Sequence, residues 1–115
     1  MDAIARTKYV RMSPRKVRRV ADLVRGKNVD EAINILHFTA KAAAAPIEKT
    51  IRSAVANLVN NTDEGAKVDP ESLVVKELRV DEGPSLKRYR AGSMGRVMRI
   101  RRRTSHIHVR VGTEE

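Results

Sequence analysis

The sequence contains no cysteine, which removes disulfides and thiolate metal sites and suits a reducing compartment. Aromatic residues are almost as scarce: Tyr9, Phe38 and Tyr89 make up 3% of the chain. A core must therefore rest on Val, Ile, Leu and Ala, and apolar residues in total reach 41% of the 115 positions. That is enough for one small domain spanning residues 1–115. No run of about 18 apolar residues exists, so no helical membrane span is expected. The first residues carry no apolar stretch of secretory type. Acid is missing from one long tract: Gly83–Thr113 holds nine Lys and Arg and neither Asp nor Glu. Phosphate-binding loops, dinucleotide fingerprints and zincin motifs are absent as well.

What is present is positive charge, and it is segregated. The net charge is +10 and the isoelectric point is near 10.7. Between Arg6 and Lys27 stand nine basic residues (Arg6, Lys8, Arg11, Arg15, Lys16, Arg18, Arg19, Arg25 and Lys27) against one acid, Asp22. From Asn28 to Glu82 the balance reverses, six basic residues against ten acids. The acid-free tract then supplies Lys87, Arg88, Arg90, Arg96, Arg99, Arg101, Arg102 and Arg103. Charge serving solubility alone would mix its signs. Two basic blocks around an acidic middle point to a polyanion, with nucleic acid ahead of an anionic membrane. Arginine outnumbers lysine in both blocks, which suits forked contacts to phosphate.

The alternation in residues 2–11 predicts a short strand. "MSPRKVRRVADLVRGK" predicts a helix over 14–25. Ser13 is its expected side-chain cap, Pro14 fits its first position and Gly26 ends it. Val17, Val20, Ala21 and Val24 share one face at helical spacing, with Arg15, Arg18, Arg19 and Arg25 opposite. "NVDEAINILHFT" predicts a second helix capped by Asp30 or Asn28, with Ala32, Ile35 and Leu36 inward. "KAAAAPIEKTIRSAVANLVNN" predicts a third and longest helix, packed through Ile47, Ile51, Ala54, Val55 and Leu58. Pro46 either sits in its first turns or kinks it. Residues 60–72 read as a loop. "LVVKELRVDEG" reads as a strand with Val74, Leu78 and Val80 on one face and Glu77 and Arg79 on the other. "SHIHVRV" reads as its antiparallel partner, with Ile107, Val109 and Val111 on one side and His106, His108 and Arg110 on the other.

The basic tract joins these two strands and is too long for a tight turn. Two antiparallel arms of about eight to ten residues would carry it roughly 30 Å out of the domain, at ~3.3 Å per residue. Gly92 and Gly95 can supply the reversal. Such a hairpin has no core of its own and needs a partner to order it. In "RIRRRTSH" the arginines would project from both faces of a strand, as a segment inserted between RNA elements requires.

Few aromatics argue against a stacking platform for single strands. The first two helices could imitate a helix-turn-helix, but the second, at the reading position, has no Lys or Arg. Structured RNA gripped by backbone and shape fits better. His106 and His108 lie two apart on one strand face, yet lack further ligands nearby in sequence, so no metal is expected. His37 is expected to pack beside Phe38. "AGSMG" misses the nucleophile-elbow pattern at Ala91. "NNT" at Asn60 matches a glycosylation acceptor without other signs of secretion. No acid–base or nucleophile set converges, so neither an enzyme nor a cofactor is expected. The basic blocks alone would also allow an architectural protein of duplex DNA. A membrane binder would need an apolar face that the first helix spends on the core.

The chain resembles the large-subunit ribosomal protein twenty-two family, which lines the nascent-peptide exit tunnel. The resemblance rests on "MSPRKVRRVADLVRGK" (12–27), "SAVANLVNN" (53–61), "VDEGPSLKR" (80–88), "GR" (95–96) and "RRTSHIHV" (102–109), in order across almost the whole chain. It implies an α+β fold: three helices on a small three-stranded antiparallel sheet, with a long β-hairpin over 84–103. It implies a cytoplasmic, ribosome-bound structural protein without homo-oligomerisation. Its partners would be large-subunit ribosomal RNA, neighbouring large-subunit proteins and the nascent polypeptide, and it would help organise the RNA during assembly. Matching residues extend the RNA contacts to Ser13, Pro14, Thr104, Ser105 and His106. The tunnel-facing tip would comprise Arg88, Tyr89, Arg90, Ala91, Gly92, Ser93, Met94 and Gly95. Two features depart from the family. Ala91-Gly92-Ser93 stands where Pro-Arg-Ala is frequent, and Pro46 stands near the start of the third helix.

Overall fold

The computed structural model describes residues 2–61 and 70–113. Most of the loop expected over 60–72, with the "NNT" triplet's threonine, lies outside them. The chain order is β1 (Asp2–Val10), α1 (Pro14–Ala21), α2 (Val29–His37), α3 (Ala44–Asn61), β2 (Leu73–Glu82), β3 (Leu86–Ala91), β4 (Val97–Arg102) and β5 (Ser105–Thr113). One antiparallel sheet has the order β1-β5-β2, and β3 and β4 form a separate two-stranded hairpin. The fold is α+β, with α3 packed over β1 and β5, α1 against β2, and α2 against α3.

The core is wholly aliphatic. Val17, Val20, Ala21 and Val24 meet Leu73, Val75, Leu78 and Val80 of β2 and Ile107, Val109 and Val111 of β5, all buried. Ile47, Ile51, Ala54 and Leu58 of α3 and Val29, Ala32 and Leu36 of α2 complete it. Val55 and Ile35, expected inward, are partly buried at its margin. Pro46 is the third residue of α3, where amides lack helical acceptors in any case, so the helix starts unbroken. Asn28 caps α2, its side-chain oxygen accepting the Asp30 N–H at 2.9 Å.

Three local expectations differ from the structure. The α-helix of α1 ends at Ala21, and residues up to Gly26 continue in tighter turns, with the Leu23 N–H donating to Val20 O and the Val24 N–H to Ala21 O. Gly26, at φ +81°, then turns the chain so that its N–H reaches Val75 O and Lys27 O accepts from the Val75 N–H. The Ser13 hydroxyl makes no cap bond; its backbone carbonyl takes the Lys16 and Val17 amides instead. In β2 a bulge between Val75 and Glu77 shifts the register against β5. The inward face is therefore Leu73, Val75, Leu78 and Val80, and Val74 is only half-buried. Strict alternation from Val74 fails because the bulge adds one residue and reverses the faces on either side.

Candidate nucleic-acid interface

Ion pairing in the folded chain follows the segregation of charge along it. Acids of the sheet and α3 pair with cations of the same elements. Lys76 reaches Asp2 at 2.8 Å, Arg79 bridges Glu77 and Asp81 at 3.4 and 3.1 Å, and Arg52 meets Glu48 at 3.0 Å. Arg110 lies between Asp2 and Glu77. Lys76 holds the Asp2 carboxyl below its usual range, chiefly through their hydrogen bond. Among the described residues, no ion pair or side-chain hydrogen bond engages Lys8, Arg11, Arg15, Lys16, Arg19, Lys41, Lys87, Arg90, Arg96, Arg99, Arg101, Arg102 or Arg103. Every one of these is exposed.

Many of them converge. A groove of about 1240 Å³ runs between α1, the α2–α3 connection and the hairpin. Arg11, Lys16, Arg19, Lys41, Arg88, Arg90, Arg101, Arg102 and Arg103 line it, nine cations without an acid. Met12, Val20, Ala42, Ala43, Leu86 and Ile100 supply apolar wall, and Ser13, Tyr89 and Thr104 also line it. This exceeds a small-molecule pocket. It has the charge and openness to hold a phosphate backbone.

The hairpin pairs Leu86 with Arg102 through Ala91 with Val97. Its arms are six residues each, shorter than the eight to ten expected. Pairing begins at Leu86 opposite Arg102. Side chains alternate across the ladder, so Arg88, Arg90 and Arg102 share one face and Lys87, Arg99 and Arg101 the other. Positive charge on both faces fits a strand pair with partner on both sides. At the tip, a tight turn from Ser93 to Arg96 is closed by the Arg96 N–H donating to Ser93 O at 3.3 Å, with Met94 at φ +58° and Gly95 at φ +75° in the left-handed region. Gly92 is held by close approach: an added Cβ would stand 2.7 Å from Met98 Cγ. The whole molecule extends 65 Å along its longest axis.

Where hairpin meets sheet, the chain is stapled. The Gly83 N–H donates to Thr104 O at 2.9 Å, and the Thr104 hydroxyl donates to Pro84 O at 2.6 Å. The Ser105 hydroxyl donates to Met12 O at 2.7 Å. Thr104 and Ser105, expected at the RNA, are thus buried with their hydroxyls spent inside the chain. His106 is similarly occupied: its Nδ1 accepts the Tyr9 N–H at 3.1 Å, and the Tyr9 ring stands edge-on to it. His108 is buried in the row Arg6–His108–Arg79, with Arg6 Nε donating to its Nδ1 at 3.0 Å. Burial, then Arg79 and Arg6, push its pKa down. Among the described residues no group of three or more His, Asp or Glu is placed to hold a metal ion. The same arrangement draws Arg6 onto the sheet.

Arg18 of α1 and Arg25 of the turns after it are also drawn from the expected ridge onto β2. Arg18 clamps Val80 O with Nε and Nη2 at 3.1 and 2.9 Å, and Arg25 clamps Leu78 O in the same way. Arg25 pairs further with Asp22, and Lys27 reaches Glu31 at 3.8 Å. These forks, with the Gly26 and Lys27 backbone, satisfy the open edge of β2. Helical periodicity places an arginine on a face, but it does not reveal that a neighbouring strand edge needs a donor.

The whole chain has known relatives. Residues 5–112 match the family described as ribosomal protein L22p/L17e. The chain is 57% identical to large ribosomal subunit protein uL22 of Desulfitobacterium hafniense, over 93% of this chain and 89% of the relative. It is 54% identical to the protein of that name from Rubrobacter xylanophilus, over 100% and 86%, and 47% identical to that of Myxococcus xanthus, over 95% and 94%. No helix among the described residues is long and apolar enough to cross a membrane. With a match over nearly its full length, and with the fold and hairpin that its motifs imply, the chain belongs to the ribosomal protein L22p/L17e family.

Proposed function

We propose that the groove and the hairpin grip large-subunit ribosomal RNA by its phosphates, with the hairpin filling a gap between RNA elements. The chain acts as a structural, non-enzymatic constituent of the large ribosomal subunit, in the cytoplasm, bound to ribosomal RNA and beside other ribosomal proteins. The observation that carries the RNA contact is the separation of paired from unpaired charge. Acids neutralise Arg52, Lys76, Arg79 and Arg110, while among the described residues no acid reaches the cations of the groove and hairpin. Arg11, Arg15, Lys16 and Arg19, with Lys87, Arg88, Arg90, Arg96, Arg99, Arg101, Arg102 and Arg103, make the contacts. Lys8 stands beside them, and Ser13 keeps a hydroxyl free of any cap. Arg6, Arg18, Arg25 and Lys27 add positive potential from positions tied to the chain itself. Thr104, Ser105 and His106 act by fixing the hairpin's base. The exposed tip, Arg88 to Gly95, meets the nascent polypeptide in the exit tunnel.

The test is the salt dependence of binding to a large-subunit ribosomal RNA fragment. With every groove cation on a phosphate, the slope of log K against log salt would be near −8 on duplex, and each phosphate left unneutralised would flatten it by about 0.9. Replacing Arg11, Lys16 and Arg19 together with Gln should flatten the slope by about 2 to 3. A slope near zero in the wild type, or one unmoved by the triple change, would refute the assignment.

A further inference from the structure

The chain's three aromatic rings all lie outside its core. Tyr9 is 63% exposed, Phe38 82% and Tyr89 62%. Exposed rings add little to folding. Two of them have ring partners: Tyr9 stands against His106, and Phe38 lies edge-on to His37. Tyr89 has neither a ring partner nor a side-chain hydrogen bond among the described residues. It is also the one ring that lines the basic groove. Phosphate alone needs only cations, yet an unpartnered aromatic ring stands at the edge of this groove, on the hairpin face that carries Lys87, Arg99 and Arg101.

We propose that an unpaired nucleotide of the bound RNA stacks its base on Tyr89 at the groove's edge, with the flanking phosphates held by Lys87, Arg99 and Arg101 of the same hairpin face. The inference rests on the RNA reading above and adds a ligand class to it: a bulged or looped nucleotide rather than continuous duplex. The chemistry is that of a sequence-tolerant stack. Every base offers a π-face, the ring supplies area at little entropic cost, and the surrounding guanidinium groups favour the electron-rich edges.

The test uses the full chain and two RNA probes of equal length and charge, one fully paired and one with a short bulge. Wild type should bind the bulged RNA more tightly. Tyr89→Leu should bind it about five- to a hundredfold more weakly, the range of one base–aromatic stack, while keeping its duplex affinity and salt slope. Tyr89→Phe should retain the preference. Phe38→Leu, which removes a ring outside the groove, should leave it intact. In a Tyr9→Phe background Tyr89 is the chain's one tyrosine, and there is no tryptophan. Its emission should then be quenched by the bulged RNA and much less by the duplex. If Tyr89→Leu binds both RNAs like wild type, or Phe38→Leu weakens binding as much, the stacking site is wrong although a steep salt slope would leave the phosphate grip standing. A flat slope in the wild type would remove both.

Discussion

The junction between hairpin and sheet should fail on the addition of one methyl group. At Gly83 an ideal Cβ would lie 2.4 Å from Thr104 Oγ1 and 3.1 Å from His106 Cε1. Real Cβ atoms do not approach so closely, so Gly83→Ala must displace the Thr104 hydroxyl. That hydroxyl is buried and donates to Pro84 O. Losing the bond costs about 0.5–1.5 kcal/mol, and leaving a buried polar group unsatisfied adds about 1–3 kcal/mol. Gly83→Ala should therefore destabilise by about 2–4 kcal/mol. With an unfolding entropy of about 2.1 cal/mol/K per residue, that lowers Tm by roughly 8–17 °C. Thr104→Ala removes the same bond without the clash and should cost about 1–2 kcal/mol. In the double variant the Cβ no longer meets the hydroxyl it struck. Its cost should then lie close to that of Thr104→Ala alone, a coupling of about 2–4 kcal/mol. Denaturant melts of the four proteins measure the cycle. Strict additivity, or a Gly83→Ala protein within about 0.5 kcal/mol of wild type, would refute the staple.

Other outcomes follow from the sheet and hairpin. Because His108 is held neutral with its folded pKa below 6.5, the unfolded chain takes up its proton first as pH falls. Its contribution is complete above pH 6.5 and declines below it, so the stability gap between wild type and His108→Gln should shrink from pH 8 to pH 5; a gap that widens would reverse the assignment. Arg18→Met and Arg25→Met should each cost about 1–2 kcal/mol by uncapping a β2 carbonyl. Both should shift the RNA salt slope less than Arg19→Gln does; the opposite ranking would mark them as phosphate contacts. Replacing residues 86–97 with a short Gly-containing turn should leave cooperative unfolding intact, since no side chain there belongs to the buried core. Loss of the cooperative transition would tie the hairpin to the domain's core.

The sequence made the helices and their faces legible because aliphatic spacing answers to a single constraint, burial. Val17, Val20, Ala21 and Val24 can point only one way if the chain is to have a core, and the structure buries all four. The misses share another cause. Ser13 has the right chemistry for a cap, but its neighbours' amides are met by its own carbonyl. Arg18 and Arg25 look like their free neighbours until β2 is placed beside them with Leu78 and Val80 carbonyls open. The bulge in β2 is set by pairing with β5, so nothing local to "LVVKEL" announces it. Polar side chains choose among many partners, and only the assembled backbone says which are near. The groove belongs to this second kind. Arg11, Lys41 and Arg101 meet across three distant stretches of chain, and composition reveals their charge without their convergence.

The hairpin carries a hazard as well as a task. Its strands bond only to each other, so both outer edges present rows of unanswered amides and carbonyls. Exposed apolar residues sit close by at Val97, Met98 and Met94. Such a ribbon is a template for adding another strand, and a second copy would be the nearest candidate. The cations on both faces make that encounter repulsive, keeping newly made chains apart in solution. RNA bound as proposed would reverse the situation in one step, cancelling the repulsion and covering the edges together. On the RNA contacts proposed above, the density of arginine in this tract would guard the protein before assembly as well as fasten it afterwards. Neutralising the arginines in bulk should yield chains that clump before they ever reach RNA.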